Sequence, residues 1–287
     1  MLHYFRHVVI FTFIAIVCLP GCTHHKKTPK REREKERKAA QRPFKNKKID
    51  RLAFDEARKV YDYYKRTGQS PQLAQTIERI ITLSSDHEII EPLLHELADL
   101  TFEAGNYTKA QEHYAQHALL YPGSSSIDYI KSQQIEAAFK QMLSPNHDQS
   151  KTKEIIQLCD SFLTSFPANN RFTKHIVNIR QDCYVNLTES ELDQIAFYLQ
   201  RFALTENKTA LEAAWQRLIH LNQAILPHLI DPRIKAAHQK ITEAQTAEET
   251  QRNRATIEQL ITPLQTAIHK HVRADAPTQK SLWRSRF

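Results

Sequence analysis

From Leu52 onward apolar residues recur three and four positions apart, the spacing that places them on one face of an α-helix. Over residues 53–87, Val60 and Tyr64 mark a first helix, Gly68 a turn, and Leu73, Ile77 and Ile80 a second helix. Residues 91–124 repeat the scheme: Leu94, Leu97 and Ala98, then the turn Gly105-Asn106-Tyr107, then Ala110, Tyr114 and Ala118, closed by Pro122. A third pair joins 127–142 to 151–166, where Ile155, Cys159, Phe162 and Leu163 share a face; the polar insertion Ser144-Pro145-Asn146-His147-Asp148-Gln149 separates its helices. The pattern predicts a fourth pair from 172–184 and 190–204. A fifth would pack 210–225 against 231–244. Ile257, Leu260, Ile261, Leu264 and Ile268 then fit one amphipathic helix capping the stack, and residues 275–287 read as a loose tail. No stretch alternates apolar and polar residues long enough for a strand pair, so the chain reads as all-α.

The 34 residues 91–124 resemble the tetratricopeptide repeat, whose small, aromatic, Gly, Ala and Pro positions occur at those spacings. Gly105 permits the positive φ of a tight turn, and Ala110 lets two helices approach closely. A single pair cannot bury its own apolar stripe, so the stack is the expected folding unit and its concave side the natural binding surface. The expectation is therefore an all-α, tetratricopeptide-repeat-like solenoid of about five helix pairs over 52–244, with a helical extension and tail over 245–287. Among the aromatic stripe Tyr61, Tyr63, Tyr64, Tyr107 and Tyr114, most positions suit inter-helix packing. Tyr64, Tyr107 and Tyr114 are the candidates for lining a peptide groove.

The start of the chain has a different pattern. Residues 8–19 are uncharged and almost wholly apolar, follow Arg6, and are too short to span a bilayer comfortably. The segment ends Leu19-Pro20-Gly21-Cys22, which resembles the lipobox of bacterial lipoproteins. That resemblance implies removal of residues 1–21 and lipidation of Cys22, with several acyl chains giving durable membrane attachment. An uncleaved anchor helix or a secreted protein is the alternative. Thr23 stands where an Asp would imply inner-membrane retention, so the implied destination is the outer membrane, facing the periplasm.

Charge is equally uneven. The chain carries a formal +8, but residues 23–51 hold 13 Lys or Arg against 4 Asp or Glu, whereas 52–287 hold 26 against 28. Basicity thus belongs to the segment 22–51, read as a tether too polar to fold by itself, which suits an anionic membrane surface or serves as a plain spacer. No nucleic-acid partner is expected for the near-neutral body. Of the cysteines beyond the anchor, Cys159 and Cys183 are either a disulfide or two buried thiols. The 15 His form no HExxH or other spaced ligand set, and four glycines leave no phosphate loop or nucleophile elbow. No cofactor, metal or enzymatic activity is expected.

Across about 54–221 the order of features resembles one family, the periplasmic lipoprotein component D of the β-barrel assembly machinery (BamD, or ComL). The resemblance is carried by Leu120-Tyr121-Pro122 followed by Ile127-Asp128-Tyr129, by Asp148-Gln149, by the helix ending at 162–167, by Glu191, Tyr198 and Arg201, and by Ala213-Ala214-Trp215-Gln216-Arg217. The chain departs from the family pattern at Ser132, at Ser84-Ser85, in a short insertion, and at 184–188, which look like extra sequence before the helix that carries Glu191. The resemblance implies a scaffold with two partners: unfolded outer-membrane β-barrel proteins toward the amino-terminal repeats, and the periplasmic domain of the barrel-forming subunit toward the carboxyl-terminal repeats. Arg217 and Arg201 are the implied partner-binding residues, because a guanidinium can hold a carboxylate through two hydrogen bonds. Asp128, near a helix start, is expected to be structural. The alternative is a generic tetratricopeptide lipoprotein that binds other envelope proteins or cell-wall fragments.

Overall fold

A computed structural model describes residues 34–35, 47–247 and 253–275, with side chains to residue 270. Among the described residues there are ten α-helices and no strand: α1 Phe54–Thr67, α2 Ser70–Leu83, α3 His87–Glu103, α4 Tyr107–Leu120, α5 Ile127–Phe139, α6 Ser150–Ser165, α7 Thr173–Thr205, α8 Lys208–His220, α9 Pro232–Thr246 and α10 Arg254–Asp275. Consecutive helices pack in pairs, as expected for a tetratricopeptide-like solenoid.

Local chemistry sets the helix ends. Glu56 accepts the Ala53 N–H at 3.1 Å to open α1, and Gly68, at φ 68°, closes it by donating its N–H to the Tyr64 carbonyl. Asp86, Asn106, Asn207 and Asp231 each accept a first-turn amide of the helix that follows. Gly105 takes φ 77° in the turn between α3 and α4. Asp128 does more than cap: while Oδ1 accepts the Tyr129 N–H at 2.7 Å, Oδ2 accepts from Asn170 at 3.2 Å and pairs with Arg171 at 3.5 Å. It therefore ties the start of α5 to the approach to α7.

The first three pairs, α1/α2, α3/α4 and α5/α6, follow the sequence pattern. The fourth does not. The expected break between residues 184 and 190 is absent, and α7 runs unbroken for 33 residues. No Gly or Pro interrupts it, and the polar residues at the expected break instead make buried contacts. Asn186 donates to the Leu143 carbonyl at 3.0 Å and Thr188 to the Tyr184 carbonyl at 2.8 Å, while Glu191, just beyond, receives Arg217. Around its middle, from Cys183 to Leu192, every residue except Glu189 is buried.

This fusion shifts the pairing that follows. Helix α8 packs on α7 rather than on the segment 231–244, and α9 pairs with α10. Between α8 and α9 the chain makes a π turn, Leu221–Ile225, and a short 3-10 turn, Leu226–His228. Gln181 of α7 holds the loop beyond, donating to the His228 carbonyl at 2.8 Å and accepting the Ile230 N–H at 3.1 Å. Helix α10 is part of the packing, not an appendage: Ile257, Ile261, Leu264, Ala267 and Ile268 join the core that also contains Phe162, Ile195, Trp215 and Leu218. Five pairs result, counted with a different partner for each of the last three helices.

Candidate functional site

Two concave features lie on this scaffold. The first is a cleft of about 330 Å³ between α7 and α8, lined by Tyr198, Ala213, Gln216, Arg217 and His220. Helical spacing explains the set: Ala213, Gln216, Arg217 and His220 step by three, one and three along α8, and Tyr198 faces them from α7, seven residues after Glu191. The small Ala213 leaves the gap open. Arg217 donates from Nη1 to both carboxylate oxygens of Glu191, at 3.2 and 3.3 Å, and His220 Nε2 stands 3.8 Å from the same group. Glu191 is nearly enclosed, and that guanidinium is its partner across the two helices.

The second feature, also about 330 Å³, runs along α3 and is lined by Pro92, His95, Glu96, Asp99, Leu100 and Glu103. Flanking helices reach into its wall. From α1, Tyr61 donates its hydroxyl to Glu96 at 2.6 Å, and Lys65 bridges Tyr61 at 2.7 Å and Glu96 at 3.0 Å. From the other side, the Asp99 carboxylate accepts the hydroxyls of Tyr114 at 2.7 Å and Tyr129 at 3.2 Å, with His95 Nε2 at 3.4 Å. Burial and the Asp99 charge push both phenols above their ordinary range, so they remain hydrogen-bond donors. Asp99 is thus a node joining α3, α4 and α5.

The residues singled out from sequence fall in different places. Arg217 lies in the cleft, but Glu191 of the same chain already engages it. Arg201 does not line the cleft; it is exposed on the outer face of α7, between Phe197 (58% exposed) and Leu204 (78% exposed) at helical spacing. Tyr114 is buried and holds Asp99 from behind. Tyr64 is half-buried edge-on against Tyr63, and Tyr107 is half-buried against Phe102. None of the three lines the α3 groove. Cys22 lies outside the described residues. Cys159 and Cys183 are both buried free thiols; burial pushes Cys159 up to about 12 and raises Cys183 as well, and the Cys183 thiol donates toward Met142 Sδ at 3.8 Å.

Sequence reasoning passed over Glu96, Asp99 and Glu103. Their signal was present as a polar stripe, His95, Glu96, Asp99 and Glu103, opposite the apolar face of α3. It also passed over Glu136, buried on α5. Burial alone would raise that carboxyl, but the hydrogen bond with His175 at 2.8 Å and the charge of Lys140 at 3.1 Å hold it below the ordinary range.

Comparison with known proteins adds no family: no protein-family model matches the chain, and no curated protein matches it. Among the described residues, no helix is long and apolar enough to cross a membrane, and no group of three or more His, Cys, Asp or Glu is placed to hold a metal ion.

Proposed function

We propose that this chain is a lipoprotein scaffold of the outer-membrane β-barrel assembly machinery, attached through Cys22 and facing the periplasm. It binds the periplasmic domain of the barrel-forming subunit and segments of unfolded outer-membrane proteins. The observation that carries this reading is that Tyr198 and Arg217 line one cleft while Glu191 engages Arg217 beside it. Three residues on which the family resemblance rests, drawn from two helices, come together on a stack of helix pairs. The α7/α8 cleft, with Arg201, Phe197 and Leu204 on the neighbouring α7 surface, is the site assigned to the subunit. The groove along α3, open to solvent and flanked by α1 and α5, is assigned to extended segments of unfolded protein, held by side-chain pockets and by polar contacts to their backbone.

Crosslinking of the intact protein in its native membrane, followed by identification of the crosslinked chains, tests the assignment. Recovery of a barrel-assembly subunit, reduced by an Ala213→Trp substitution that fills the cleft, is the expected result. Consistent absence of that subunit from the wild-type protein would reject it and leave a generic tetratricopeptide lipoprotein.

A further inference from the structure

His117 sits on the inner side of α4 with no exposed surface, and neither ring nitrogen reaches a hydrogen-bond partner on another residue. Its ring packs against two others, His95 at 5.8 Å and Tyr121 at 5.3 Å between centroids. The row continues at both ends: His87 Nδ1 is 3.2 Å from the Tyr121 hydroxyl, and the His95 ring is 5.3 Å from Tyr129. One turn earlier on α4, His113 also has a buried Nε2 without a partner.

We propose that the α3/α4 pair is a proton-sensitive joint, in which the buried imidazole of His117, assisted by His113, opens α4 away from α3 as the surroundings become acidic. The argument is one of solvation. A neutral imidazole tolerates a dry aromatic slot, whereas an imidazolium there would have two N–H donors with neither water nor an acceptor. The groups facing His117 divide. From α3, His95 disfavours the proton while Glu91 and Asp99 favour it; Tyr121 follows α4, and α5 contributes Tyr129 through its contact with His95. Burial outweighs the two carboxylates, and the net effect holds His117 below the ordinary imidazole value of 6.5. For His113, burial again dominates over Glu78 of α2 and Glu112 of α4, with Lys109 acting in the same direction as burial.

The sign follows from linkage. An opened segment takes up its proton near pH 6.5, and the closed segment does so only at lower pH. Between those two values each falling pH unit favours opening by up to about tenfold for each histidine. Opening stays local because α4 joins a small cluster, through Ala110, Tyr114 and the partly buried Ala118 packed with Ala98, Ile130 and Ala137, apart from the larger core around α7. None of this depends on which partner the protein binds.

Hydrogen exchange of the full-length protein at pH 7.5 and 5.5, corrected for intrinsic rates, tests the proposal. Exchange in α3 and α4 is expected to accelerate about tenfold relative to α7, and His117→Phe, which keeps the aromatic packing, is expected to remove most of that acceleration. Equal acceleration in α3, α4 and α7, or a pH response unchanged in His117→Phe, would overturn it. Should that variant not fold, NMR titration of the His117 ring in the wild-type protein decides. A midpoint below 6.5 supports the joint, and one at or above 6.5 overturns it.

Discussion

Helices α1–α4 and helices α5–α10 solve the same packing problem differently. In the first region each pair buries a narrow stripe: Val60 and Tyr63 on α1, Leu73, Ile77 and Ile80 on α2, Leu94 and Leu97 on α3. Polar ties across the inner face hold these helices: Tyr61 to Glu96 joins the first pair to the second, and Tyr114 to Asp99 ties α4 to α3 within the second. In the second, α7 is enclosed through its middle, and side chains from α5 to α10 form one continuous core. A nearest-neighbour stack is approximately a sum of weakly coupled units, whereas a pooled core opens as a whole. The difference assigns adaptability to the amino-terminal groove and rigidity to the α7/α8 cleft.

Four substitutions probe that contrast. Phe162→Ala empties a fully buried ring position in the pooled core and is expected to cost about 3–5 kcal/mol. Urea denaturation followed through Trp215 should show the whole second region losing stability together. Tyr114→Phe removes a hydroxyl that donates to the Asp99 carboxylate, at about 1.5–3 kcal/mol. Hydrogen exchange should then rise in α3, α4 and α5 while α7 keeps its protection; a rise of equal size in α7 would erase the distinction. A smaller effect is expected at Glu136. Its carboxyl is held below the ordinary range, so it contributes stability that is present above the unfolded-state value near 4.5 and is lost as pH falls through the folded-state value. Thermal melts of Glu136→Gln between pH 6 and 3 should accordingly be flatter than those of the parent chain. Gly68→Ala comes last: nothing lies within 4 Å of the added carbon, so only the left-handed backbone matters, at about 1 kcal/mol. Its melt should show α1 and α2 affected and Trp215 fluorescence unchanged.

The repeat pattern was legible wherever a turn residue separated two apolar stripes. Gly68, Gly105 and the polar insertion ending at Gln149 all fall between helices. It misled around α7, where Asn186 and Thr188 look like part of a surface turn but are buried, Asn186 donating to the Leu143 carbonyl of another segment and Thr188 to the Tyr184 carbonyl one turn back, and where the neighbouring Glu191 is buried against Arg217. No local spacing encodes Leu143 or Arg217 as those partners. The sequence named Arg217 as a candidate and Glu191 and Tyr198 only as carriers of the resemblance; the cleft itself, and the Glu191 bond that occupies the guanidinium, depend on the register between α7 and α8. The α3 groove was missed because its carboxylates lie on the polar face of an amphipathic helix, where charged residues ordinarily need no explanation.

The contrast between the two regions is tested most directly by equilibrium urea unfolding of a Trp283→Phe protein, in which Trp215, buried in the pooled core, is the only tryptophan. Far-ultraviolet circular dichroism, which counts every helix, is expected to begin falling at lower urea than Trp215 fluorescence, because the amino-terminal pairs melt first. Coincident transitions by the two probes would contradict the division and show one cooperative unit from α1 to α10.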